Sequence, residues 1–160
     1  MGGAILEIAG ALEASAAARM LKFSRWAYAG VNAGHVLGIA LLVGAILPMD
    51  LRLMGLWRGI GHGALARVLV PVAAAGLLLA VATGALLFIV RAEHYAGLVL
   101  VQAKLALVAA AAGLALLLHL RAGLWLERMA PWQGALHGAA SLACWLAALV
   151  CGRMIAYVAP

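Results

Sequence analysis

Val68 to Val90 reads VLVPVAAAGLLLAVATGALLFIV, 23 residues without one charged side chain. At about 1.5 Å of helical rise per residue, such a run matches the ~30 Å hydrocarbon core of a bilayer. A barrel strand would alternate apolar and polar side chains over about ten residues. This run does not alternate, so it reads as a transmembrane helix. Pro71 is expected in the first turn, where a missing N–H costs little.

Three further runs have the same character. Ala27 to Leu47 is broken only by Asn32 and His35, Ala96 to Leu118 carries Gln102 and Lys104, and Trp132 to Gly152 carries His137 and Ser141 before Arg153. The whole chain agrees: 68% of its 160 residues are apolar, 10% are charged, and the mean hydropathy is +1.14. An ordinary soluble domain has about 25% charged residues. Eleven Lys and Arg against five Asp and Glu give a net charge of +6. No basic block lies beside aromatics on a polar face, so the charge reads as membrane topology and not as a nucleic-acid surface. The links Pro48–Arg67, Arg91–Tyr95 and His119–Pro131 are short and force antiparallel neighbours. The expectation is an all-α integral membrane protein, an up-down-up-down four-helix bundle over residues 26–160. Residues 1–25 are expected as an N-terminal interfacial amphipathic helix. Its apolar residues Ile5, Ile8, Leu12, Ala16, Met20 and Phe23 recur near the helical period, with Glu7, Glu13, Arg19 and Lys22 elsewhere. The two acids argue against a cleavable signal peptide.

Trp26, Tyr28, Tyr95 and Tyr157 fall on the N-terminal side, and Trp57, Trp125 and Trp132 on the other, as two headgroup-level belts require. Arg19, Lys22, Arg25, Arg91 and Arg153 balance Arg52, Arg58, Arg67, Arg121 and Arg128, so the cation count does not set the orientation. The crowding of three cations before the first span favours an inside N-terminus. Gly30, Gly34 and Gly38 form a four-residue ladder, and Ala139 and Ala143 a weaker one. Such faces let backbones approach, either within the chain or against a second copy or partner subunit.

Ionisable groups in a span are costly and so become candidates for function. His35 sits mid-span with Asn32 one turn away. It reads either as a haem or metal ligand or as a neutral imidazole bonded across helices. Lys104 and Arg153 have no acid at their depth, which suits an anionic ligand, a quinone oxygen, a lipid phosphate or snorkelling to the interface. His119 and His137 come from successive helices at a similar depth and could face each other across a haem b. His62 could complete a three-histidine metal site. Arg52, Arg67 or Arg121 would then hold the propionates. His35 and His119 differ by roughly 20 Å in depth and cannot share one iron. The axial pair is therefore expected at His119 and His137, with His35, Lys104 and Arg153 as a separate polar site. His94, next to Glu93, reads as solvent-facing. Cys144 and Cys151, roughly 10 Å apart along one helix, are out of disulfide reach and read as packed thiols or a copper path.

Several strings are familiar. Gly34-His35-Val36-Leu37-Gly38, Asp50-Leu51-Arg52-Leu53-Met54-Gly55-Leu56, Thr83-Gly84-Ala85-Leu86-Leu87-Phe88, and Gly152-Arg153-Met154-Ile155-Ala156-Tyr157 resemble a family of bacterial four-helix integral membrane proteins of unknown function. That family is more distantly similar to copper-resistance D-type membrane proteins and four-helix cytochromes b. The resemblance covers residues 26 to 158, implies the same fold, and points at His35, Asp50, Arg52, Lys104, His119 and Arg153. Three functions follow as expectations: a haem b-binding electron-transfer subunit between a quinone and a redox partner, a cofactor-free structural or assembly subunit, or a copper- or metal-handling protein. Each would sit in the bacterial inner membrane, as a subunit and not a stand-alone enzyme.

Overall fold

The computed structural model describes residues 2–123, 125–126 and 130–158. Arg128, counted above among the cations, lies outside them. Seven helices follow in order: α1 (Gly2–Glu13), α2 (Ala16–Phe23), α3 (Arg25–Leu53), α4 (His62–Ile89), α5 (Ala92–Gly97), α6 (Val99–Ala122) and α7 (Pro131–Val158). No strand occurs among the described residues. The long helices α3, α4, α6 and α7 are each long and apolar enough to cross a membrane. The all-α four-helix architecture is therefore as expected, and length and composition make it a multi-pass membrane protein.

The helices outrun their apolar runs. α3 continues through Pro48 to Leu53, so the first link begins at Met54 and not at Pro48. Pro48 cannot donate to the Gly44 carbonyl, yet a membrane helix tolerates that loss when its neighbours hold it straight. Pro71 likewise lies well inside α4, which starts at His62, and not in its first turn. What stops α3 is Gly55, at φ +105°. Leu56 N–H donates to Leu51 O (3.0 Å) and Gly55 N–H to Arg52 O (3.1 Å), the paired bonds of a Schellman cap that needs a left-handed residue.

The N-terminal segment is two helices, not one. Ser15 caps α2 by accepting from Ala18 N–H (3.2 Å) and breaks the run there. Ala9, Ala18 and Leu21 are the buried residues, whereas Ile8, Met20 and Phe23 of the expected apolar face are exposed. α1 packs on α5 and α2 on α3, so this segment is folded onto one end of the bundle. Lys22 bridges to Glu13 at 2.8 Å, and Glu13 accepts from the Glu93 N–H of α5 at 3.3 Å.

Packing of the long helices runs α4–α3–α7–α6. α3 is the most enclosed. Its Gly38 meets α4 so closely that a β-carbon there would lie 2.6 Å from Ala80 N, and one on Gly34 would lie 3.2 Å from the Thr83 methyl. Of the glycine face expected to meet a partner, these two positions are covered by α4 inside the chain, and Gly30 alone faces open space. On α7 the buried face is Gly134, Gly138, Ser141, Trp145 and Ala148. Ala139 and Ala143, expected to pack, are exposed. A β-carbon on Gly138 would lie 2.7 Å from Asp50 O, which places α3 against that face. α4 and α6, though joined only through α5, make no close backbone approach among the described residues. Side chains bridge them at mid-depth around Leu77 and Ala111, and at the far end around Ala66 and Ala122.

Candidate functional site

His35 is held by α4. Its Nδ1 lies 2.9 Å from Ala80 O and 3.2 Å from Thr83 Oγ1. A carbonyl can only accept, so Nδ1 carries the proton. The Thr83 hydroxyl donates to Leu79 O at 2.5 Å, which leaves its oxygen free to accept from the same imidazole. Gly84 makes the room: a β-carbon there would lie 2.9 Å from His35 Cε1. In the neutral ring this leaves Nε2 as a lone pair with no partner among the described residues.

Lys104 of α6 approaches from the other hairpin. Its ammonium lies along Gly152 of α7, where a β-carbon would come within 3.1 Å of Nζ. It acts electrostatically on both His35 and Cys151. Among the described residues it has no acid or carbonyl partner. All four long helices thus meet at one level: α3 brings the imidazole, α4 its acceptors, α6 the ammonium, and α7 the glycine that seats it. At this level, as along their whole length, α4 and α6 make no close backbone approach among the described residues.

Arg153 is not part of this level's chemistry. It is exposed, donates to Tyr157 Oη at 3.0 Å and stacks its guanidinium 5.0 Å over that ring. One step along α7 from Gly152 turns the side chain by about 100°, away from Lys104.

The opposite end is organised differently. His137 Nε2 lies 2.6 Å from Leu114 O of α6 and donates to it. His119 keeps Nδ1 buried without a partner. The two histidines are on adjacent helices, but His137 is turned toward a carbonyl more than a turn from His119 along α6. Iron ligation through Nε2 would require it to leave that carbonyl. His62 sits beside Arg52, and no group of three His, Cys, Asp or Glu side chains suited to a metal is assembled among the described residues. Arg52 is buried and engaged: Nε donates to Ile60 O at 2.6 Å and Nη2 to Arg58 O at 3.3 Å, folding the 54–61 link back on α3. Its guanidinium is a loop clamp, not an open anion partner.

Composition did not flag Gly84, Gly152 and Ser141 as working with their partners. Ser141 of α7 faces the Asp50 carboxylate of α3, whose Oδ2 is buried without a partner among the described residues. Only partner helices reveal such pairs, although Thr83-Gly84 stood in a familiar string. No family model, curated protein or solved structure matches the chain.

Proposed function

We propose that the protein is a small multi-pass membrane subunit of an electron-transfer assembly that receives the oxygen-bearing headgroup of a quinone beside His35 and Lys104. The observation that carries this reading is the pairing of an imidazole with one nitrogen unpartnered and an ammonium with no acid partner among the described residues, each seated by a glycine. An ammonium and an imidazole lone pair left unmatched at membrane depth are costly, so the first calls for an acceptor oxygen and the second for a hydroxyl. A quinone has a carbonyl for the ammonium, its reduced quinol form has a hydroxyl that can donate to the imidazole lone pair, and both carry an apolar tail suited to the bilayer. The bacterial inner membrane, where such carriers diffuse, belongs to the same proposal.

A cofactor-free assembly role is the second reading. It is favoured by His35 and His137 each donating to a neighbour's backbone carbonyl, which is what a purely structural intramembrane histidine does. Haem b or copper at His119 and His137 is the weaker proposal, because His137 Nε2 is already engaged.

Binding of a short-chain benzoquinone to the purified protein tests the assignment. We expect one molecule per chain, with Lys104→Met weakening it by about tenfold or more, the scale of a hydrogen bond to a charged group, and His35→Leu weakening the corresponding quinol, which can donate to the imidazole, to a similar degree. No binding by a fully helical protein would leave the assembly role standing. A dithionite-reduced spectrum with a haem b band, lost in His137→Ala and kept in His35→Ala, would overturn the present ordering.

A further inference from the structure

At the N-terminal end α2 folds back over the start of α3 and the end of α4. It encloses a cleft of about 460 Å³ lined by Leu21, Lys22, Arg25, Tyr28, Val90 and Arg91. A second cleft of about 370 Å³, around Trp26 and Ala29, shares Arg25 with it. The first has an apolar floor in Leu21 and Val90, three cations around it, and no acid in its lining. Glu13, the nearby acid, is taken by Lys22 and by the Glu93 N–H. Arg25 makes no hydrogen bond or ion pair with the described residues.

Depth narrows the ligand class. Arg25 is the first residue of α3 and Val90 follows the last of α4, so the cleft lies where the apolar runs meet the headgroup layer. Trp26 is 89% exposed beside it, as an interfacial tryptophan is. A guanidinium at this level presents a planar fork suited to phosphate oxygens. The apolar floor and the Trp26–Ala29 cleft continue from it along α3, where an acyl chain would lie.

We propose that this cleft is a binding site for one anionic phospholipid, with Arg25 as the main ligand of its phosphate and Tyr28, Leu21 and Val90 lining the glycerol and first methylenes. Arg91 also lines the cleft, and the charge of Lys22 is met by Glu13. Inorganic phosphate offers the same anion without the chain.

Native mass spectrometry of the full chain, released from nanodiscs of mixed phosphatidylglycerol and phosphatidylcholine, tests it. The expected result is one retained phosphatidylglycerol per chain. Arg25→Gln should lower that occupancy about five-fold, the scale of one interfacial cation, while Arg67→Gln, an equal charge change at the other end, leaves it unchanged. Circular dichroism of both variants checks that each remains folded, since Arg25 is exposed and holds nothing in place. Equal losses in the two variants would mean diffuse charge attraction and overturn the site. So would displacement of the lipid by millimolar inorganic phosphate, which would make the ligand a free anion.

Discussion

Gly38 on α3 and Gly76 on α4 interlock: a β-carbon on Gly76 would lie 2.8 Å from the Gly38 carbonyl oxygen and 2.5 Å from Leu42 N, and one on Gly38 would lie 3.0 Å from the Gly76 carbonyl oxygen. Both obstacles are backbone, which cannot swing aside. Gly38→Ala or Gly76→Ala should therefore cost about 1–3 kcal/mol, the usual range for overpacking. Gly30→Ala, facing open space, should be neutral or slightly stabilising through helix propensity. Thermal unfolding in one detergent compares the three variants, and equal midpoints would refute the interlock.

His35 and Gly84 make a second test of the same seam. The ring is fixed by Ala80 and Thr83, so Gly84→Ala must push it off its acceptors. The expected cost is about 0.5–2 kcal/mol, the sum of a lost interhelical hydrogen bond and modest overpacking. His35→Ala should make Gly84→Ala nearly silent, because the obstacle is gone. Additive effects in that double-mutant cycle would show that the two residues do not touch as described.

The sequence carried the four long helices and their antiparallel order, because those depend on apolar runs and short links alone, but not the split of the N-terminal segment or the short α5. It misjudged where α3 ends and where Pro71 sits, since an apolar run ends at the membrane edge while a helix ends at its cap, here Gly55. It named His35 and Lys104 as one polar level, which depth along each helix is enough to suggest. It also grouped Arg153 with them, because depth says nothing about direction around a helix, and Arg153 turns to Tyr157. Arg52 looked like an anion partner for the same reason. Its carbonyl partners come from a link with no regular period to read.

Arg52 should behave as a clamp. Arg52→Ala leaves the carbonyls of Ile60 and Arg58 without their charged donor and should destabilise the link by about 1.5–3 kcal/mol, the range of such bonds. Faster hydrogen exchange confined to residues 54–61 and the end of α3 is the expected signature. Exchange unchanged there would mean that the Gly55 cap alone holds the turn.

Acid should loosen the N-terminal fold before it touches the bundle. The hydrogen bond from Lys22, then that from Glu93 N–H, holds the Glu13 carboxyl below its ordinary value of 4.5. A lowered folded value means that this contact stabilises the fold above the ordinary value and is lost as pH falls through the lowered one. Protection of α1 and α5, corrected for the intrinsic pH dependence of amide exchange, should fall as pH drops below the ordinary value of 4.5 and not between pH 5 and 8. Glu13→Gln should show the loosened state at neutral pH, and a pH-independent pattern in the native chain would refute the linkage.

The order α4–α3–α7–α6 bears on how the chain is made. Each long-helix histidine finds its acceptor inside its own consecutive pair: His35 in α3 on α4, and His137 in α7 on α6. A ribosome delivering the first two spans to the bilayer therefore releases a unit whose imidazole is already matched, and the next two spans arrive likewise complete. Asp50 is the exception, for the Ser141 hydroxyl that it faces belongs to the later unit. Its carboxyl must wait through most of synthesis, and the docking of α7 on α3 is the event that closes the molecule.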